Sequence, residues 1–542
     1  MIEPKLVESK DPERKWSHCV QEHKHPMREL DASEKRSVEL HWRLLACAVF
    51  QAAVGSCAYY HINPLNQIEF YVQNFTAKSI KDHYGVSLSP NGLAWVWASL
   101  TATGAVGAVL GGFATKQPFE RLGRRNTVMV LKNVVLIVAS VVQFAARYAN
   151  SIELLFVGRL LCGYAITLTM LIPVYLSECS PDQYRGLVAM IAFLGWPFYT
   201  IVGTVFGLQQ LLGSAANWHF VLLVPALIAV LHLLSVPLVP DSPKHLYINE
   251  SDTKKAARAI QFYHGPDVHL DEVIAEFDRE ATMASHRGSA GLRETLTTRH
   301  LKWPFWLCIV ANVANNMTGI DIAQQYSTAF ITKMQFSSAL APVFTVLVSQ
   351  VPGLFVAVVA LLLVERSGRK VLLLVGVLLG IFATSSLFVA QLLDPDSTAN
   401  SFFGMTGLLL AVGGFYIGPS PVANILPGEL APLVSRSVTS SVSFGASWIP
   451  SVIIIMLYPP LQIEIGAYSI LPLIILGIAA FLFLLLFLPE TQGRAVDHIV
   501  EIWLPPDLLE EYEPIVKDTK TGHSYGTNEN AHQPNVHQIL DG

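Results

Sequence analysis

Runs of about twenty apolar residues, broken by short polar, Gly- or Pro-containing segments, recur along most of the chain. At about 1.5 Å of rise per helical residue, each run is long enough to cross about 30 Å of hydrocarbon. The pattern predicts spans at 43–62, 92–115, 127–148, 153–176, 187–209 and 218–239, then at 303–331, 341–364, 370–392, 402–427, 437–458 and 467–488. The expected architecture is an all-α membrane protein of twelve transmembrane helices in two six-helix halves, because helices satisfy their own backbone polar groups in lipid. Between the halves a polar stretch shows helical periodicity over 252–264 and 270–285, which predicts a helical linker. The expected units are an N-terminal tail (1–42), a first half (43–240), the linker (241–302), a second half (303–488) and a tail (489–542). The end of that last tail, from about Thr519, is rich in Asn, Gln, His and Gly and is expected to be disordered.

Composition removes the soluble classes. Hydrophobic residues make up 52% of the 542 residues and charged residues only 14%, too few to cover soluble domains. The 36 basic residues against 41 acidic ones give a net charge of −5, which carries no polyanion-binding signature, so no nucleic-acid partner is expected. Six scattered cysteines offer no metal or redox spacing and read as small apolar packing residues. The polar first forty residues lack the apolar core of a signal peptide. No phosphate loop, metal motif or nucleophile constellation is present, so an enzyme is not expected, and no cofactor is implied.

Charge matters locally. Lys116, Arg121, Arg124 and Arg125 follow span two, Lys244, Lys254, Lys255 and Arg258 lie in the linker, and Arg366, Arg369 and Lys370 follow span eight. The positive-inside rule makes these sides cytoplasmic, and an even number of spans puts both termini there as well. The segment 63–91, the longest of the opposite loops, then lies outside, where Asn74-Phe75-Thr76 is a usable N-glycan acceptor.

Two loops match in sequence and in ordinal place: Glu120 to Arg125 between spans two and three, and Glu365 to Lys370 between spans eight and nine. Glu178 precedes Arg185 by seven residues after span four, and Glu429 precedes Arg436 by seven after span ten. Such internal symmetry is expected when two repeats pack about an axis along the membrane normal. The paired acids and bases are expected to form a linker-side network that holds the halves together when that side is shut.

A polar solute crossing such a bundle needs neutral hydrogen-bonding groups at mid-membrane. The richest segment is Asn315 to Tyr326, in which Thr318, Asp321, Gln324, Gln325 and Thr328 share one helical face, with Asn315 at its margin. Span ten carries Gly413, Gly414, Gly418, Pro419, Pro421 and Pro427 around Asn424, a spacing that breaks a helix and suits a moving gate. Trp448, Phe193 and Trp196 offer flat apolar contact to such a solute.

The chain resembles the sugar porters of the major facilitator superfamily, and among them the animal facilitative glucose transporters. The resemblance rests on Glu120 to Arg125, Gly158-Arg159 with Gly163, Pro173 to Glu178, Arg185-Gly186, Pro240 to Pro243, Glu365 to Lys370, Glu429 with Arg436, and Pro489 to Arg494, across about 45–495. It implies the major facilitator fold, alternating access, and a membrane-embedded carrier of a monosaccharide, expected at the plasma membrane. It also implies a gating set of Arg121, Arg125, Arg159, Glu178, Arg185, Glu365, Arg366, Glu429 and Arg436.

The same resemblance implies a substrate set of Asn315, Asn316, Thr318, Asp321, Gln325, Asn424, Trp448 and Phe193. Asn315 and Asn316 stand where glucose transporters present paired glutamines, and Asp321 where they present an asparagine. Phe193 replaces a glutamine, Gly353 an asparagine, Asn424 a tryptophan and Ser447 an asparagine, while Trp448 is matched. The pocket has drifted, so the expected cargo is a hexose or a related polyol moved down its gradient. Two rivals are a proton-coupled symporter using Asp321 and a non-transporting sensor. Span one, over Tyr59 to Pro64, lacks the acid that related symporters carry, which favours uniport.

Overall fold

The computed structural model describes residues 40–266, 268–287, 290–333, 341–364, 366–492, 499 and 501–503. Most of the N-terminal tail, Glu365, Arg494 and the end of the C-terminal tail lie outside the described residues. The first half contains span one (Trp42–Phe50, then Gln51–Gly55 and Cys57–Ile62) and span two (Pro90–Ala114). Span three is Asn126–Leu131 with Lys132–Ala149, and span four is Ile152–Thr169 with Ile172–Glu178. Span five is Arg185–Phe193 with Gly195–Phe206, and span six is Trp218–Val221 with Val224–Leu234.

Linker helices follow at Pro243–Ile248, Thr253–His264, Leu270–Arg287 and Leu292–Thr297. The second half opens with span seven in three pieces, Arg299–Asn316, Ile320–Gln325 and Ser327–Lys333. Span eight is Ala341–Thr345, Val346–Gln350 and Val351–Leu363, span nine is Arg369–Leu392, and span ten is Thr398–Ile417 with Pro419–Leu430. Span eleven is Leu433–Ile465 and span twelve Leu471–Phe487. Among the described residues, ten segments are long and apolar enough to cross a membrane. One of them, Val434–Phe487, holds two crossings that turn at Gly466 (φ 58°), and the fragmented span seven completes the twelve.

The segment expected as an external loop is corrected. After a single residue, Asn63, span one leads into a 21-residue helix, Pro64–Tyr84, which ends on the left-handed Gly85. Its mean polarity hides it from a search for apolar runs. Its periodicity is nonetheless helical, since Leu65, Ile68, Val72, Thr76 and Ser79 recur every three or four residues and are all buried. Proline at its first turn suits the start of a helix.

Lipid tails are as apolar as leucine, so packing of spans depends on close approach rather than on burial from water. Glycines provide it. A Cβ on Gly163 of span four would lie 1.9 Å from the Gly104 carbonyl oxygen of span two, and one on Gly107 would lie 2.1 Å from Leu160 O. The halves approach each other in the same way: a Cβ on Gly112 of span two would sit 2.6 Å from Cα of Gly445 in span eleven. Large apolar side chains left exposed on spans six and twelve, among them Leu227, Leu231, Ile475 and Leu486, form faces suited to lipid.

Gly163→Ala therefore forces backbones apart and is expected to cost about 1–3 kcal/mol of stability, read as a lowered melting temperature in detergent. Gly428→Ala, where a Cβ would meet open space, is expected to leave the transition unchanged or to raise it slightly.

Candidate functional site: a linker-side ion cluster and a central aromatic box

The linker-side cluster is built twice. Gly123 (φ 87°) and Gly368 (φ 83°) turn the two matching loops in the left-handed region, where glycine alone is unstrained. A carboxylate occupies the space a side chain would need: a Cβ at Gly123 would lie 2.6 Å from Asp241 Oδ2, and one at Gly368 would lie 2.6 Å from Glu490 Oε2. These acids accept from backbone N–H groups at the helix starts that follow. Asp241 Oδ1 accepts from Arg125 N at 2.9 Å, and Glu490 Oε1 from Arg369 N at 2.8 Å. A negative charge at a helix N-terminus is favourable.

The residue after each glycine supplies the ion pair. Arg124 Nε lies 2.9 Å from Glu178 Oε2, and Arg369 Nε lies 3.2 Å from Glu429 Oε1. A hydroxyl completes each cluster, Ser242 Oγ donating to Glu178 at 2.8 Å and Thr491 Oγ1 to Glu429 at 2.5 Å. Acid, hydroxyl, arginine and glutamate thus recur with the same connectivity at the ends of both halves.

The expected network is corrected in membership. Arg121 and Arg366 are exposed, whereas their neighbours Arg124 and Arg369 make the pairs. Each pair closes inside its own half, so in this conformation the two pairs brace the halves separately. Arg125 ties its loop to the end of span six through Val239 O at 3.1 Å. Arg185 reaches Glu276 of a linker helix at 3.8 Å, and Arg436 donates to Ala431 O at 3.4 Å. Arg159 stands apart from all of these, buried within the first half and donating to His61 O at 2.7 Å. Glu365 lies outside the described residues. The sequence signal for the missed members was the acid–hydroxyl pair, Asp241-Ser242 and Glu490-Thr491, recurring after spans six and twelve.

On the side away from the linker, hydrogen bonds join the two halves. Asn66, on the helix after span one, donates to Ser327 Oγ at 2.9 Å and to Gln324 O at 3.2 Å, and its Oδ1 accepts from Thr328 N. Thr328 Oγ1 donates to Gln67 at 3.1 Å, and Gln325 Nε2 donates to Ile62 O at 2.9 Å. None of these contacts was anticipated, because they join polar residues some 260 positions apart in the chain.

Aromatic rings from both halves meet at the centre. Trp196 of span five and Trp448 of span eleven face each other with ring planes 1° apart and centroids 6.2 Å apart. Tyr59 of span one stacks on Trp196 at 4.8 Å, Phe415 meets it edge-on at 5.5 Å, and Phe193 lies 6.3 Å away. Beside Trp448, Asn316 Nδ2 donates to Ser447 O at 2.6 Å. Ser451 Oγ lies 2.9 Å from Asn316 Oδ1 and 3.1 Å from Asp321 Oδ2.

The continuous polar face expected over Thr318 to Thr328 does not form as one helix face. Span seven breaks at Gly319 (φ 84°) and again at Tyr326. Thr318 is fully buried at that break, with its hydroxyl on Asn315 O and its Cα and Cβ against Gly380 of span nine. Asn424 is half-buried and donates to Ser420 O at 2.8 Å. Span ten breaks at Gly418 (φ −153°), where a Cβ would lie 2.0 Å from Leu372 O.

Among the described residues, buried polar atoms with no hydrogen-bond partner include Asn315 Oδ1, Gln325 Oε1, Trp196 Nε1 and Trp448 Nε1. Buried polar groups are costly when unpaired, and such a set of acceptors and donors suits a ligand rich in hydroxyls. A separate crevice of about 210 Å³, lined by residues that include Phe330, Gln391, Asn400 and Gln462, contains none of the expected site residues.

The model of the family described as "Sugar (and other) transporter" matches residues 47–503. The chain belongs to this family. Among its relatives, facilitated glucose transporter member 3 of solute carrier family 2 from Mus musculus is 30% identical over 464 residues, covering 84% of this chain and 92% of the relative. Member 7 from the same organism is 26% identical over 458 residues, covering 84% and 89%.

The fold matches solved structures of major facilitator proteins. The proton:xylose symporter XylE bound to 6-bromo-6-deoxy-D-glucose superposes with a TM-score of 0.68 at 19% identity, covering 85% of this chain and 99% of that one. The inward-open xylose transporter XylE from E. coli superposes with a TM-score of 0.67 at 18% identity, covering 85% and 100%. The protein is a multi-pass membrane transporter of the major facilitator fold, and not an enzyme.

Within this family member, loss of either glutamate frees an arginine and a hydroxyl at once. Glu178→Gln and Glu429→Gln are expected to lower the transport rate by about tenfold while equilibrium solute binding shifts by less than about threefold, as for residues that bias a conformational equilibrium. Stopped-flow uptake beside a direct binding titration separates the two effects.

Proposed function

We propose that this protein moves a monosaccharide or a related polyol down its gradient across the plasma membrane. The observation that carries the reading is the central box, in which unpartnered amides of span seven accompany two paired tryptophans, one from each half, whose indole N–H groups also lack partners. Neutral donors and acceptors bond hydroxyls without the cost of moving a fixed charge through hydrocarbon. The names of the glucose-transporting relatives support the same cargo class. Asn315, Asn316, Asp321, Gln325 and Trp448 contact the solute, Phe193 and Asn424 shape the cavity, and Thr318 holds the break of span seven.

The conformation is shut on the side away from the linker, where Asn66, Gln67 and Ile62 clasp span seven. In the transport cycle this clasp opens as the linker side closes, and the two glutamate–arginine clusters keep each half rigid during the exchange. The excess of Lys and Arg places the linker and both termini in the cytoplasm. Asn74, exposed on the helix that follows span one, then faces outward and carries an N-glycan.

Two measurements test this reading. In proteoliposomes, tracer hexoses and polyols are expected to equilibrate without accumulating, and an imposed pH gradient is expected to leave the plateau unchanged. Uphill accumulation that disappears in Asp321→Asn would establish proton coupling instead. Phe193→Gln is expected to raise glucose uptake relative to the other solutes by about threefold or more, because it adds an amide able to bond a hydroxyl. Asn74→Gln is expected to abolish a glycosidase-sensitive shift in electrophoretic mobility, and a shift that survives would overturn the assigned orientation or site.

A further inference from the structure

Asp321 is the carboxylate of the central box, only 7% exposed. Its Oδ2 accepts from Ser451 Oγ at 3.1 Å, and among the described residues no Lys, Arg or His pairs with it. Ser451 follows Trp448 by three residues on span eleven, so the hydroxyl that orients the carboxylate and the indole that faces Trp196 lie on the same side of one helix. Asn316 links them further, bonding both Ser451 and the carbonyl next to Trp448. The acid is therefore built into the box.

A carboxylate at mid-membrane without a cationic partner is costly, and the cost falls when a cation arrives beside it. The rest of the box suits that cation. The unpartnered oxygens Asn315 Oδ1 and Gln325 Oε1, on the same span as Asp321, both accept from N–H or O–H. A neutral sugar would use the amides and leave the carboxylate without a counter-charge. An alkylammonium ion would use the carboxylate and leave the amides unpaired.

Resting on the sugar-transport reading above, we propose that the box selects a polyol bearing a protonated amine, an amino sugar, over its neutral counterpart. The ammonium group pairs with Asp321 while the hydroxyls bond Gln325 and Asn315. The solute brings the balancing charge and takes it across.

The test is side-by-side tracer uptake of glucosamine, glucose and N-acetylglucosamine by the full-length protein in proteoliposomes. At a pH that keeps the amine protonated, glucosamine is expected to be taken up at least about tenfold better than glucose at limiting concentration, a discrimination of the size one matched charge supplies. N-acetylglucosamine, which lacks the charge, is expected to show no such advantage, and raising the pH until the amine is neutral is expected to remove it. Asp321→Glu keeps the preference in part, and Asp321→Asn loses it.

Glucose uptake without any glucosamine preference in the unaltered protein overturns this inference alone, and that arm needs no variant to fold. A preference that persists in Asp321→Asn overturns the role of the carboxylate. Uptake of none of the three overturns this inference, and the sugar-transport reading falls with it only if the wider panel of hexoses and polyols is not taken up either.

Discussion

In hydrocarbon a backbone carbonyl that leaves its helical ladder has no water to turn to, so a span breaks only where a neighbouring side chain catches the freed oxygen. Span one shows this along its length. Ser56 Oγ bonds Gln51 O, Tyr199 OH of span five bonds Ala53 O, and Lys132 Nζ of span three bonds Gly55 O at 2.5 Å. Farther along, Arg159 of span four bonds His61 O and Gln325 of span seven bonds Ile62 O. Four other spans thus hold one irregular helix, and the last of these bonds reaches across to the opposite half. The backbone's need for partners is what ties the geometry of span one to the state of span seven.

The same requirement explains where charge is tolerated. Lys132 and Arg159 are buried in the first half and direct their donors largely to carbonyls rather than to acids. The ion pairs lie instead at the linker ends of the spans, partly exposed, where desolvation is mild and a carboxylate can also satisfy helix N-termini. Asp241 and Glu490 do so in equivalent places, each filling the space that a glycine leaves. Rigid ends, together with central breaks in spans one, seven and ten, give a bundle able to bend near its solute without losing the integrity of either half.

The box at the centre lies where the two halves meet, so it exists only while they are together. Trp196 and Trp448 come from different halves, and the amides beside them come mainly from span seven, whose breaks at Gly319 and Tyr326 aim successive residues differently from an intact helix. A single helical wheel over Thr318 to Thr328 therefore groups residues that the fold separates. It joins Thr318, packed on span nine, to Gln325, bonded to span one.

The sequence by itself determined what depends on local composition and periodicity: twelve spans, the linker helices, the duplicated loops and the family to which they belong. Hydrocarbon thickness fixes the length of an apolar run, and helical geometry fixes which residues recur on a face, so both are readable one segment at a time. Sequence also pointed to Glu178, Glu429, Asp321 and Trp448, since an acid or an aromatic in an unusual setting stands out. Only the tertiary structure decided that Arg124 and Arg369, rather than Arg121 and Arg366 three residues earlier, form the pairs, because the left-handed glycine between them turns the chain so that the later side chain meets the glutamate while the earlier one stays exposed. It alone decided that the amphipathic Pro64–Tyr84 helix clasps span seven and that the ion pairs close within each half, because both depend on contacts between residues far apart in the chain, which no local pattern encodes.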